Sequence, residues 1–252
     1  MADLNPATME GALERLDAQS APSAMRFDAG GVLAGRVAAL PSAFNPPTVA
    51  HLRLLTLGAD NDGAPAALLT TRNVAKGLYG APLAHRVGML LAAREALPGL
   101  AVLVTNAARF VDQASALRGA FPGARFDFVA GHDTLVRIFD PIYYTAMEAE
   151  LEPFFHHHRL IVTNRGNDQL DAVAAYLDVP AVRPFAHRVV IRELNVREAS
   201  MSSTIARTAI AADQSHPAIP PAVASYIRAH RLYRLDQGQG TRDEERGTVG
   251  GR

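Results

Sequence analysis

The sequence predicts an α/β protein built on a doubly wound parallel sheet with helices on both faces. Three observations carry that prediction. Short apolar runs recur along the chain, each short enough for a buried strand. Helical patterns fill the intervals between them. Strand and helix alternate, the order a parallel sheet needs because each crossover must return the chain to the same edge. With 252 residues and 48% hydrophobic side chains, the chain can fill a large core as one main domain.

Taken in order, residues 1–33 begin with an amphipathic helical stretch, Ala7 to Ala18, then drift through Ser, Ala and Gly, and read as an N-terminal extension. Residues 34–235 form the domain proper. Its strands are predicted at 36–41 (RVAALP), 66–71 (AALLTT), 101–105 (AVLVT), 126–130 (FDFVA), 159–163 (RLIVT) and 187–192 (HRVVIR). Helices are predicted near 48–59, 82–97, 112–120, 168–177, 203–212 and 220–230. Residues 236–252, DQGQGTRDEERGTVGGR, are polar, glycine-rich and aperiodic, and read as a disordered tail. Ligands of such sheets sit beyond the carboxyl ends of the strands, so the strand-to-helix loops are where chemistry is sought.

Composition excludes several functions. Lys+Arg 25 and Asp+Glu 25 cancel, leaving no electrostatic footprint for nucleic acid or an anionic membrane. With no cysteine there is neither disulfide nor thiolate chemistry, which fits a reducing compartment. The amino terminus lacks an apolar leader, and no apolar segment approaches the ~18 residues of a membrane span. A cytoplasmic protein is expected. Among the basic residues only Lys76 is lysine.

The segment ALPSAFNPPTVAHLRLL (39–55) is one strand-to-helix loop. It has neither G-x-G-x-x-G nor G-x-x-x-x-G-K-[ST], which rules out those two phosphate cradles. Pro46 and Pro47 fix φ, and Thr48 stands where it can cap a helix. Thr48 and His51 lie three apart, so their side chains share a face at the positive end of the helix dipole, a place suited to an anion. Read alone, this is equally an ordinary helix start. A second helix start, SMSSTIAR (200–207), offers the hydroxyls of Ser202, Ser203 and Thr204, with Arg207 four residues after Ser203. Two such starts, one with His and one with Arg, are what a triphosphate requires. The run His156-His157-His158 carries no metal reading, because adjacent residues point in different directions and no second cluster accompanies it.

These motifs resemble those of the nucleotidyltransferase superfamily. Residues 42–51, SAFNPPTVAH, are similar to G-x-F-x-P-x-T-x-x-H, and 202–207, SSTIAR, to the late S-S-T-x-[IV]-R motif. Within that superfamily the likeness is to nicotinamide or nicotinate mononucleotide adenylyltransferases. AKGLYGAPLAHRVGML (75–90), FVAGHDTL (128–135), IVTNRGND (161–168) and IPPAVASYIRAHRLY (219–233) follow in the same order, so the likeness spans about 34 to 235. The resemblance implies a Rossmann-like fold and attack of a mononucleotide 5′-phosphate on the α-phosphorus of ATP, giving a dinucleotide and pyrophosphate.

It also implies roles. His51 would donate to the α-phosphate oxygens, Thr48 would hydrogen-bond phosphate, and Lys76 would lie against the attacking phosphate of the substrate. Ser203, Thr204 and Arg207 would hold the β- and γ-phosphates, with Ser202, Ala43 and Phe44 also among the ATP-binding residues. Gly131 and Asp133 would meet a ribose. Mg²⁺ would arrive bound mainly through the ATP phosphates and water, since no protein-only cage is evident. ATP and a mononucleotide are the implied partners; homo-oligomers are common in the family, which leaves that assembly open. Ser42 stands where the motif has glycine and Ala206 where it has Ile or Val, and the chain has no tryptophan on which to stack a pyridine ring. Phe139, Tyr143 and Tyr144 are the aromatic substitutes the sequence offers. Two alternatives remain: transfer to another phosphorylated acceptor, and an ATP-binding or ATP-hydrolysing regulatory protein.

Overall fold

The strands of this chain alternate their burial between two faces, and that alternation builds two cores. Val37, Ala39, Leu68, Leu103 and Phe128 face one side, while Ala38, Leu40, Leu69, Val104 and Val129 face the other. The computed structural model describes residues 6–60, 62–72, 80–163 and 170–234. Lys76, most of the 161–168 motif and the 236–252 tail lie outside the described residues.

The sheet has seven strands: β1 (Ala24–Arg26), β2 (Gly35–Pro41), β3 (Gly63–Thr70), β4 (Ala101–Thr105), β5 (Ala124–Gly131), β6 (Leu160–Thr163) and β7 (Val189–Arg192). Their order is β1-β4-β3-β2-β5-β6-β7, with only the β1–β4 pair antiparallel. The chain runs outward from β2 through β3 to β4, then returns so that β5 pairs with the free side of β2. That reversal is the switch point of a doubly wound fold, and it opens a crevice at the carboxyl ends of β2 and β5.

Helices cover both faces. On one lie α1 (Pro6–Asp17), α2 (Val49–Ala59), α3 (Leu83–Ala93), α9 (Ser203–Ala211) and α10 (Pro221–Ala229); on the other lie α4 (Phe110–Ala120), α5 (His132–Ile138), α6 (Met147–His157) and α7 (Leu170–Leu177). A short α8 (Val196–Ala199) precedes α9. Helix α2 packs so closely that a Cβ on Gly58 would come within 2.4 Å of Val129 Cγ2.

The segment read as an extension supplies α1 and β1. Met9, Leu13 and Leu16 recur on one face of α1 and join the core. Asp28 then ties the edge: it accepts from the Val102 N–H at 2.8 Å and from Arg26 at 2.6 and 2.8 Å. Burial opposes its charge, but these hydrogen bonds hold its carboxyl below the usual range.

Predicted helix 82–97 ends early, at Ala93, and 187–192 begins as a 3-10 turn (Arg183–Arg188) before β7. Helices α5 and α6 lay outside the predicted set. In α6 Leu151, Phe154 and Phe155 form the buried stripe, but Pro153 interrupts the pattern in the sequence. His158 follows α6 and turns into the core, its Nδ1 2.8 Å from the Phe126 carbonyl, so the three histidines do not face one point. Phe139 is likewise in the core, stacked on Phe155, so it presents no free face to a ligand. The Tyr144 hydroxyl donates to the Ile138 carbonyl at 2.6 Å.

Candidate active site

Helix α2 starts at the carboxyl end of β2, and its first turn is a capping box. The Thr48 N–H donates to His51 Nδ1 at 3.1 Å, and Thr48 Oγ1 lies 2.7 Å from the same nitrogen while accepting from the His51 N–H at 3.4 Å. A ring nitrogen that accepts a main-chain N–H carries no proton, so in the neutral imidazole the proton sits on Nε2. That Nε2 is 3.2 Å from Ser42 Oγ and lines the crevice. The helix start therefore fixes a donor aimed away from the helix.

Thr48 itself is fully buried, with its hydroxyl turned to His51 rather than open to the crevice, which differs from the direct phosphate contact expected of it. Phe44 is also fully buried, at a φ of 43°, with its ring 5.0 Å from that of His51. What Phe44 can offer a ligand is main chain. Ala43 beside it is exposed. The Asn45–Pro46 peptide is cis.

The second motif arrives against this loop. Arg207 Nη1 donates to the Asn45 carbonyl at 2.6 Å, and Ser203 Oγ donates to the Pro46 carbonyl at 2.8 Å. Ser202 caps α9 by accepting from the Ile205 N–H at 3.2 Å, and Thr204 Oγ1 accepts from Arg207 Nη2 at 3.2 Å. The two helix starts, 157 residues apart between Pro46 and Ser203, are thus joined directly. Arg86 adds to the positive field: burial lowers its pKa and Arg207 nearby pushes the same way.

The crevice floor comes from the ends of β5 and β6. Gly131 and Thr134 line it, whereas Asp133 is exposed and is not part of the lining. Thr163 borders it too, and its buried Oγ1 has no hydrogen-bond partner among the described residues. Leu194 and Met201 supply apolar wall. Thr134, Thr163 and Met201 were not singled out from sequence. Each lies inside a quoted stretch (128–135, 161–168 and 200–207); for Thr134 and Thr163 the signal that could have found them was position at or just after the end of a strand, and Met201 lies between α8 and α9.

No family model matches the chain. A curated relative, the putative nicotinamide mononucleotide adenylyltransferase of Schizosaccharomyces pombe, is 27% identical over 212 residues, covering 77% of this chain and 85% of the relative. Among solved structures, the Plasmodium falciparum nicotinic acid mononucleotide adenylyltransferase complexed with NaAD has a TM-score of 0.59 at 16% identity, over 79% of this chain and 97% of that one. Its complex with APC has a TM-score of 0.57 at 15% identity, over 79% and 96%. The solved structures share its fold, a mostly parallel α/β sheet with helices on both faces. Within that class the chain is similar to the nicotinamide and nicotinate mononucleotide adenylyltransferases.

Proposed function

We propose that this protein is an adenylyltransferase that joins the AMP moiety of ATP to nicotinamide mononucleotide, or to nicotinate mononucleotide, giving a dinucleotide and pyrophosphate. One observation carries the reading: the Arg207 guanidinium and the Ser203 hydroxyl are bonded to the loop whose next residues place His51 at the crevice. The name of the curated relative supports the choice of reaction.

An oxygen of the mononucleotide 5′-phosphate attacks the α-phosphorus; the bond to the oxygen bridging the α- and β-phosphorus breaks, and pyrophosphate departs with that oxygen. No side chain needs to attack. The protein aligns two anions and spreads the charge that grows on the α-phosphate. His51 donates from Nε2 to an α-phosphate oxygen, its hydrogen bond to Ser42 Oγ breaking when ATP arrives. Thr48 acts through His51 by holding its other nitrogen. Arg207 and the N–H groups at the start of α9 take the β- and γ-phosphates as pyrophosphate forms, with Ser203 and Thr204 framing them through their bonds to Pro46 and Arg207. Lys76 neutralises the attacking phosphate, and Gly131 and Asp133 serve a ribose.

Among the described residues no group of three or more His, Asp or Glu could hold a metal ion. On this reading Mg²⁺ would arrive bound mainly through the ATP phosphates and water. Among the described residues no helix is long and apolar enough to cross a membrane.

Incubation with Mg²⁺ and ATP, with and without each mononucleotide, tests the proposal. Pyrophosphate and a dinucleotide that appear only with a mononucleotide support it. ADP and phosphate formed regardless of acceptor would instead identify a hydrolase.

A further inference from the structure

We infer that Asn45 and Tyr233 are positioning residues for this site, holding the β2–α2 loop in register with Arg207. The inference rests on the reading of Arg207 as a phosphate ligand. Asn45 is 7% exposed, and its amide oxygen accepts twice: from the Tyr233 hydroxyl at 2.7 Å and from the Ala81 N–H at 3.1 Å. Its main-chain carbonyl accepts from Arg207 at 2.6 Å. One residue therefore joins four segments: the β2–α2 loop, the chain entering α3, helix α9 and the turn after α10.

Each of those segments is shaped to reach Asn45. After α10 the chain folds back through Arg231 at φ 52° and Tyr233 at φ 64°, with the Leu232 N–H bonded to the Ile227 carbonyl at 3.1 Å. Left-handed backbone at non-glycine residues persists where the surroundings over-determine it. Here it delivers the Tyr233 hydroxyl to a buried amide. On the other side Gly80 has φ 95°, and a Cβ there would stand 2.1 Å from Asn45 Nδ2. Only glycine leaves room for the amide. Arg86 then fixes the same strap by donating from Nε to the Ala81 carbonyl at 2.7 Å.

Packing alone would not explain the polarity of the contacts. The Tyr233 ring already lies against the core, and its hydroxyl ends on Asn45, whose main-chain carbonyl holds the Arg207 guanidinium. Loss of the hydroxyl removes one of the two donors to the Asn45 amide oxygen and loosens the loop whose Asn45 carbonyl orients Arg207. The effect falls on triphosphate binding and spares the acceptor.

The test uses the full chain, Tyr233→Phe, Gly80→Ala and the double variant, with ATP affinity measured by titration calorimetry in Mg²⁺. Each single variant is expected to weaken ATP binding about tenfold, as loss of one well-oriented ligand does. The double variant should be no weaker than the worse single, because both act through the same amide. The mononucleotide KM should stay within about twofold. Unchanged ATP affinity in both singles, additive losses, or ATP and mononucleotide weakened in step with a lower Tm would overturn the inference. If Gly80→Ala does not fold, Tyr233→Phe decides alone. Absence of dinucleotide synthesis by the unaltered protein would sink the proposed function, while the ATP titrations would still judge Asn45 and Tyr233.

Discussion

Replacing His51 by alanine separates its two jobs. The imidazole accepts the Thr48 N–H at Nδ1, in a residue that is itself fully buried, and it presents one N–H at Nε2. Deletion leaves that main-chain donor without its acceptor, which costs about 1 to 3 kcal/mol of stability. The catalytic loss has a different size. Only one donor to the α-phosphate disappears, and removal of one such donor lowers kcat by about 10² to 10³, or roughly 3 to 4 kcal/mol in the transition state. On the proposed reading Arg207 and the start of α9 still hold the outer phosphates, so ATP should bind within a fewfold of the unaltered affinity. The assay is initial-rate pyrophosphate release at saturating mononucleotide, beside ATP-dependent thermal protection of the same samples. Equal losses in kcat and in ATP affinity would show that His51 serves ground-state binding, and the transition-state role would have to be abandoned.

Three further outcomes follow from other positions. Ser42 accepts from His51 Nε2 at 3.2 Å, so ATP must displace it; Ser42→Ala should tighten ATP binding about two- to tenfold, the worth of one hydrogen bond, and weaker binding would mean the hydroxyl itself touches phosphate. Burial lowers the His158 pKa to about 4, from an ordinary value of 6.5. The folded protein therefore resists protonation that the unfolded chain accepts, so stability is unaffected above pH 6.5 and falls between pH 6.5 and 4 by about 3 kcal/mol in all. His158→Asn should flatten that part of the urea-denaturation profile, and an unchanged slope would remove His158 as its source. Deletion of residues 1–33 strips Met9, Leu13, Leu16 and Phe27 from the core at roughly 1.5 to 3 kcal/mol each, comparable to a whole domain's stability; a cooperative unfolding midpoint equal to that of the full chain would contradict this.

Much of the sheet was legible because its strands are buried on both faces. AVLVT, fully buried as β4, can hardly be anything else between two turns. β1 was not legible: it has three residues, and what makes it a strand is its antiparallel pairing with β4, just beyond which Asp28 accepts from the Val102 N–H, 74 residues away. The same rule divides the site. Thr48 and His51 are three residues apart on one helix, so their shared face follows from helical geometry, and the structure has it so. Asn45 and Tyr233 are 188 residues apart, and no local pattern announces that a tyrosine closing the domain will bond to the loop that opens it.

The long-range contacts also change what the short motifs mean. Read in sequence, Ser202, Ser203, Thr204 and Thr48 are four hydroxyls offered to phosphate. In the folded chain Ser202 caps α9, Ser203 is donated to the Pro46 carbonyl, Thr204 accepts from Arg207 and Thr48 is held by His51. Their structural bonds make the hydroxyls the frame, and on the proposed reading it is the imidazole N–H now turned to Ser42, the guanidinium and the main-chain N–H groups at the start of α9 that meet the anion. Removing a frame hydroxyl should therefore misplace a donor without removing it, so Thr48→Val should lower kcat less than His51→Ala does. The reverse order would mean that the hydroxyls themselves reach the phosphates.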